Sequence, residues 1–538
     1  MILRLLKQPR LYLLLSILIF LGCSIPMNQP YILMDDAFIS FRYAVNLSHG
    51  QGLVFNPGER VEGYSNFLWT VLLAACDRLG LNLIQASKVL LALAGVGTLV
   101  ALYLIGKAIF ASRPSNTLLI SLPLLLFATM GSQARYVISG METLLFTFLL
   151  TLAMYMLLYG KRPWLAGVVF ALCAMTRPEG LLYFSLAWIY VILEQTRFRE
   201  HILTSKTGAK SRLALSGKAV ISFSLGFLIL YGLYFLWRYN YYGYLLPNTF
   251  YAKASGFLWG RLQRGWNILQ SLLVEWWLTP ILILSLFSLF SIRNNRVWLL
   301  FIAMVLATYG YFIYIGGDFI VWFGPRFLMP ALPFLLLLST EGLANVSWVR
   351  WLPIQYRNWL QLGLSALLLT ISFYLSWPGR PFEASFFTVQ MQGWSELGHW
   401  ISAHTNPDTS IATDAAGLIP FYSGRYTIDM FGLTDTHIAH IDYSQQGLGV
   451  VAHEKFDPEY ILNRRPGCIV SSWMDQNGMA NAAGLPEVKD EFERLYQLIA
   501  VAKVRNGPPS DGRWVIPTTV YKPSLYQRGY IAGIFCLK

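Results

Sequence analysis

Apolar residues run in long blocks along this chain, interrupted at intervals by short clusters of charge. About 20 consecutive apolar residues form a helix long enough to cross a bilayer core. Blocks approaching that length fall at 11–27, 88–110, 117–130, 140–160, 163–175, 180–193, 219–237, 272–290, 297–315, 327–343 and 359–375. The pattern predicts a polytopic α-helical membrane protein with about eleven membrane helices. The 163–175 and 180–193 blocks are short and read equally well as one broken or re-entrant pair. The first block follows Arg4, Lys7 and Arg10, as in a signal peptide, but no small-residue cleavage site follows it. An uncleaved first helix is expected.

Beyond residue 376 the pattern changes. An amphipathic helix is predicted at 394–404 and short strands at 410–413 and 425–429, around a Gly-rich turn. A further helix falls at 459–464 and an apolar strand at 467–472. This alternation predicts a small α/β domain over 377–538, joined to a membrane part over 1–376. The first connection of the membrane part, 28–87, is unusually long.

Loop charge sets the expected orientation. With a cytoplasmic N-terminus, the even-numbered connections hold Arg113; Lys161 and Arg162; Arg197, Arg199, Lys206, Lys210, Arg212 and Lys218; Arg293 and Arg296; Arg350 and Arg357. That is the positive-inside pattern. The odd connections (28–87, 131–139, 176–179, 238–271, 316–326) and the C-terminal domain are then extracytoplasmic. The net charge of +13 is explained by these tethers, so a lipid bilayer and not nucleic acid is the expected partner. A chain 55% hydrophobic and only 13% charged is not a soluble enzyme, and its 15% aromatic content suits membrane interfaces and sugar-stacking surfaces alike. Of five cysteines, Cys468 and Cys536 would pair in an oxidising compartment; the reading slightly favours two unpaired apolar residues.

Polar groups crowd the outward connections. The first opens on Asp35 and Asp36 and continues through Arg42, Asn56, Glu59, Arg60, Glu62, Tyr64 and Asn66. Adjacent carboxylates repel, so one should titrate high unless cations compensate. They serve as helix caps, as a general base toward a sugar hydroxyl, as ligands for a divalent cation, or as a nucleophile. Arg135 and Glu142 follow in the second connection and Arg177 and Glu179 in the third. Charges at this depth usually line a polar cavity, and Arg offers a fork suited to phosphate. The 238–253 segment is rich in Tyr and carries Asn248 and Lys253; its simplest reading is an aromatic belt. Asp318 and Arg326 make a further charge pair. His437, His440 and His453 offer a weak metal pattern, and surface or acceptor contacts are the favoured reading.

The run DDAFISFRYA, GQGLVFNPGERVEGYSNFLW, SGMET, TRPEG, YYGYLLPNTFYAK and GGD followed by RF resembles bacterial GT-C glycosyltransferases. It is most similar to the group around the terminal β-arabinofuranosyltransferase of actinobacterial cell walls, a likeness extending from about residue 31 to 464. The resemblance implies a GT-C membrane domain in the bacterial inner membrane, with a catalytic Asp in the first outward loop. It implies a polyprenyl-phosphate sugar donor, plausibly carrying D-arabinofuranose, and a cell-envelope glycan, glycolipid or protein acceptor. On it, Asp35 or Asp36 takes the acceptor's proton while the other orients it or holds a divalent cation. Arg177, Lys253 and Arg326 would take the donor phosphate. Arg42, Tyr64, Asn66, Glu142, Glu179, Asn248 and Asp318 would contact the sugar or acceptor. No cytoplasmic Gly-rich phosphate loop is present, consistent with a lipid-linked donor. The chain reads as shorter than the actinobacterial enzymes at its C-terminal end, which leaves the acceptor open. A transporter or flippase for lipid-linked sugar is the alternative, and an envelope scaffold a weaker one. An inverted repeat would favour the transporter, and none is evident.

Overall fold

The computed structural model describes residues 8–24, 33–113, 116–160, 162–204, 217–254, 257–275, 278–292, 295–318, 326–345, 353–376, 381–442, 448–481 and 483–538. Residues 25–27 of the first apolar block, the basic stretch 205–216, and Lys161, Arg293, Gly324 and Arg350 lie outside the described residues.

Apolar blocks become helices because a buried backbone must satisfy its own hydrogen bonds. The principal ones are Pro9–Ser24, Leu83–Phe110, Asn116–Thr129, Thr143–Leu158, Pro163–Thr176, Gly180–Thr204, Gly217–Tyr242, Val297–Tyr314, Leu332–Asn345 and Ile354–Ser376. The Asn82 side chain caps the second of these by accepting the Gln85 N–H. Among the described residues three helices, Leu83–Phe110, Gly217–Tyr242 and Val297–Tyr314, are long and apolar enough to cross a membrane, or up to five spans if each of two bent pairs counts as one. Four further apolar helices are shorter, among them Pro163–Thr176. The count of eleven stays with the sequence pattern.

Two blocks depart clearly from their predicted boundaries: the 180–193 helix runs on to Thr204, and a second is divided. The 272–290 span falls across two helices, Leu258–Glu275 and Leu278–Leu286. The first carries Arg261, Arg264, Asn267 and Gln270 at helical spacing and is amphipathic; Pro280 suits the first turn of the second, where an N–H is expendable. The 163–175 and 180–193 blocks are separate helices broken at an extended Arg177. They pack tightly there: a Cβ on Gly180 would lie 2.5 Å from the Ala174 backbone.

The C-terminal region folds around a six-stranded mixed sheet of order β2-β1-β3-β6-β4-β5. Its strands are β1 (Ile411–Thr413), β2 (Thr427–Asp429), β3 (Cys468–Ser471), β4 (Tyr496–Lys503), β5 (Val515–Pro517) and β6 (Tyr530–Leu537). β1 runs parallel to both β2 and β3, and the remaining pairs are antiparallel. Side chains alternate between faces. Ile469 and Phe535 join a cluster with Ile428 and Phe492, while Val470 and Ile534 face Leu397 and Ile401 of the Pro381–His404 helix.

Cys468 and Cys536 form a disulfide, correcting the expectation that they stay unpaired. They sit directly opposite each other on β3 and β6. The Leu537 N–H bonds to Gly467 O beside them, so the two cysteines form a non-hydrogen-bonded pair, the closer kind in an antiparallel ladder.

Three of the basic connections meet around Glu341, which pairs with Arg113 at 2.7 Å and accepts from Ser291; Asn345 donates to that Ser291 hydroxyl. The 28–87 and 238–271 connections bond to the C-terminal region, whose Leu418 and Met391 join the bundle's apolar core.

Candidate active site

Asp35 and Asp36 open the Asp35–Ser48 helix and make no side-chain cap to it. Their carboxylates diverge. Asp35 accepts the backbone N–H groups of Leu418 (2.7 Å) and Gly417 (3.1 Å). Only glycine fits at 417, because a Cβ there would run into the Asp35 carbonyl. Burial pushes the Asp35 carboxyl up to about 7, with Asp36 and Asp414 adding to the shift against the two N–H donors. Asp36 turns the other way and lies 3.4 Å from Arg326. Burial raises it too, but Arg326, Lys253 and His453 outweigh that and hold it below the ordinary carboxylate range. One carboxylate is therefore an anchor and the other an ionised group facing open space.

That space is a cavity of two lobes. One, about 560 Å³, is lined by residues including Asp35, Asp36, Lys253, Asp318, Arg326, Asp414, Asp429, Phe431 and His453. The other, about 520 Å³, is lined by residues including Asp36, Ser40, Tyr64, Asn66, Glu142, Arg177, Thr249, Lys253 and Arg326. Asp36, Lys253 and Arg326 belong to both and form the waist. Arg326 is fixed by Asp318, at 2.9 and 2.7 Å. Among the described residues Lys253 makes no ion pair with a carboxylate; burial lowers its pKa, with Asp36 opposing.

A second network walls the 520 Å³ lobe. Arg177 bonds to Glu142 and to Glu179, each at 2.6 Å, and lies over the Phe327 ring. Glu142 also accepts from Asn66 at 2.8 Å, and Asn66 exchanges hydrogen bonds with Ser40. Four sequence motifs thus meet in one chain of contacts. Arg177 is already matched by two carboxylates, so it brings a rigid donor group more than net charge. Tyr64 packs edge-on to Tyr43 and meets the Tyr242 hydroxyl at 3.1 Å.

Three predicted sugar contacts line neither lobe, one of them Glu179, which bonds to Arg177. Arg42 spends its guanidinium on Phe55 O, Asn56 Oδ1, Pro420 O and Arg425 O. Asn248 donates to the carbonyls of Gly432, Leu433 and Asp435. Both clasp the odd connections to the C-terminal region, as does Asn56, which accepts the Thr427 N–H and donates to Thr427 O. Glu62 pairs with Arg238 at 2.8 Å. The 238–253 aromatics pack in a ladder, with Trp237 against Phe67 and Tyr241.

Asp414 and Asp429 were not singled out from sequence. Asp414 follows β1, and Asp429 ends β2. A short apolar strand, then Asp, then a Gly-containing loop (IATDAAG, TIDMFG) is the available signal, because ligands gather at the carboxyl ends of parallel strands. Among the described residues no group of three or more His, Cys, Asp or Glu side chains is arranged to hold a metal ion. His437 instead pairs with Asp457, and His440 stacks on Tyr251.

Known proteins share parts of this architecture. Residues 385–519 match a family described as Domain of unknown function (DUF8728). The chain is 30% identical over 244 residues to the terminal β-(1→2)-arabinofuranosyltransferase of Mycobacterium tuberculosis, a match spanning 42% of this chain and 36% of that protein. It therefore spans about a third of the length of that curated relative. Among solved structures, ArnT from Cupriavidus metallidurans bound to undecaprenyl phosphate superposes with a TM-score of 0.54 at 10% identity, over 98% of this chain and 97% of ArnT. The mycobacterial arabinofuranosyltransferase AftD superposes at 0.50 with 15% identity, over 98% of this chain and 40% of AftD. The chain has the fold these two structures display.

Proposed function

We propose that this protein is a membrane glycosyltransferase that moves a sugar, D-arabinofuranose in the first instance, from a polyprenyl-phosphate donor to a cell-envelope acceptor. The observation that carries the reading is the waist: an ionised Asp36 between two lobes, beside Arg326 and Lys253. In the reaction, an acceptor hydroxyl attacks the anomeric carbon and the carbon–oxygen bond to phosphate breaks. The hydroxyl proton passes to Asp36, and the electron pair leaves with the lipid phosphate. Arg326 and Lys253 sit where that charge grows, which is where positioned cations lower a barrier. The lobe lined by Asn66, Glu142 and Arg177 takes the donor. Asp35 holds the C-terminal segment in place.

The likeness to the arabinofuranosyltransferase and the fold of lipid-phosphate-bound ArnT support this reading. The disulfide supports an extracytoplasmic, oxidising location for residues 377–538. Residues 1–376 then hold donor and base in the inner membrane. The test is incubation of purified protein with radiolabelled polyprenyl-phosphate arabinofuranose and an arabinan acceptor. Label should enter the acceptor. Label that crosses vesicles without entering acceptor would establish a flippase instead.

A further inference from the structure

The 560 Å³ lobe has a floor the reaction above does not use. β1 leads through the Leu418–Ser423 helix to β2 on one side of β1, and the chain then returns as β3 on the other side. The order β2-β1-β3 makes β1 a switch point in the parallel part of the sheet, and ligands of open α/β sheets sit in the crevice beyond such a point. Asp414 and Asp429 stand at that crevice and line the lobe. Both are held from behind. Asp429 accepts the N–H groups of Phe431 (3.0 Å) and Thr434 (2.8 Å), and Asp414 accepts the N–H and hydroxyl of Ser472, each at 2.8 Å. Asp429 Oδ2 also accepts the Thr434 hydroxyl at 3.3 Å, while Asp429 Oδ1 and Asp414 Oδ2 each keep a further lone pair. Their orientation is thus set before any ligand arrives.

The lobe's charges decide what fits. Asp318 is matched by Arg326, and Asp36 faces Arg326 and Lys253. Asp35, Asp414 and Asp429 are held by neutral donors and have no ion pair to a cation among the described residues. An anionic ring would meet uncompensated like charge. A neutral ring would donate its hydroxyls to these oxygens and lie against Phe431 and His453, whose rings meet edge to face at 4.8 Å.

Resting on the transferase reading, we propose that this lobe is the acceptor subsite. It takes the terminal ring of a neutral glycan, held through its hydroxyls by Asp414 and Asp429, and it rejects uronic-acid or phosphorylated termini. Residues 385–519, matched to a domain of unknown function, thereby take on the choice of acceptor.

The experiment compares wild-type full-length protein with Asp414→Asn and Phe431→Ala, the second sparing the backbone-bound carboxylates. The probes are a neutral arabinofuranosyl oligosaccharide and the same oligosaccharide ending in a uronic acid. The acceptor KM should rise by about tenfold or more in both variants, the loss expected from one hydrogen bond or one stacking surface. The donor KM and the affinity for undecaprenyl phosphate should hold within about twofold, as expected for an interaction confined to the acceptor. A rise in donor KM, an unchanged acceptor KM, or equal use of the uronic-acid probe would overturn the assignment. Saturation-transfer NMR of the neutral oligosaccharide keeps the two readings apart. Binding in wild type that is lost in both variants supports the subsite even where no sugar is transferred; no binding in wild type overturns it.

Discussion

Asp36 and Arg326 meet at 3.4 Å although 290 positions separate them in the chain. Asp35, its immediate neighbour, faces the opposite way, onto Gly417 and Leu418. One dipeptide therefore serves two structures, and replacing each residue should separate them. Asp36→Asn should lower glycosyl transfer by about a thousandfold, the scale of a lost general base, while undecaprenyl phosphate still binds. Single-turnover assays alongside lipid-phosphate titrations would check this. An active Asp36→Asn protein would remove the base assignment.

Asp35→Asn should act through docking. An amide oxygen still accepts one N–H, but its NH₂ faces a second donor. The expected result is faster hydrogen exchange at 417–428 and a smaller fall in transfer than for Asp36→Asn.

The pH dependence of stability has a definite sign. A carboxyl raised in the folded state binds more protons folded than unfolded, so its contribution is full below the unfolded pKa and is lost as pH rises through the folded value. Asp35 titrates at about 7, and Asp414 and Asp429 at about 6, each raised chiefly by burial. Thermal stability should therefore decline between about pH 4 and 7 and level out above. Asp35→Asn should remove the part of the decline nearest pH 7. A melting temperature rising across that range would contradict this account.

Arg42 holds the first connection to the C-terminal region through four acceptors. Arg42→Lys keeps the charge but loses the fork, and the three N–H groups of one ammonium cannot serve four acceptors. We expect a loss of about 2–4 kcal/mol and early proteolysis between 418 and 428. Denaturant unfolding and limited proteolysis are the measurements.

The disulfide closes a loop with a sequence separation of 68. Cys468→Ser with Cys536→Ser should cost about 3–4 kcal/mol through a less constrained unfolded chain. Reductant should lower the wild-type melting temperature and leave the double variant unmoved.

Much of the site was legible because charge in an apolar chain is conspicuous. Asp36, Lys253, Asp318 and Arg326 stood out in the outward connections, and the structure brings Asp36, Lys253 and Arg326 to one waist with Asp318 holding Arg326. Arg42 and Asn248 stood out equally, yet they bind backbone carbonyls that only the tertiary fold delivers to them. Asp414 and Asp429 were missed for the converse reason: in a region of ordinary polarity, an Asp after a short strand carries no alarm. Cys468 and Cys536 were weighed as a pair and read as unpaired, because only the sheet lays β6 beside β3. The apolar blocks fold as helices, as their composition led one to expect, though among the described residues only three are long and apolar enough to cross a membrane unbroken. The amphipathic Leu258–Glu275 helix blurred one boundary by running polar and apolar faces together.

Arg326 is divided between Asp318 and Asp36, and Arg177 between Glu142 and Glu179. In the proposed reaction these cations never face the spent lipid phosphate with a full unbalanced charge. They can steady it as it departs and still let it go. The carboxylates around them act as a brake on product retention, so turnover, as much as bond breaking, is written into the pairing.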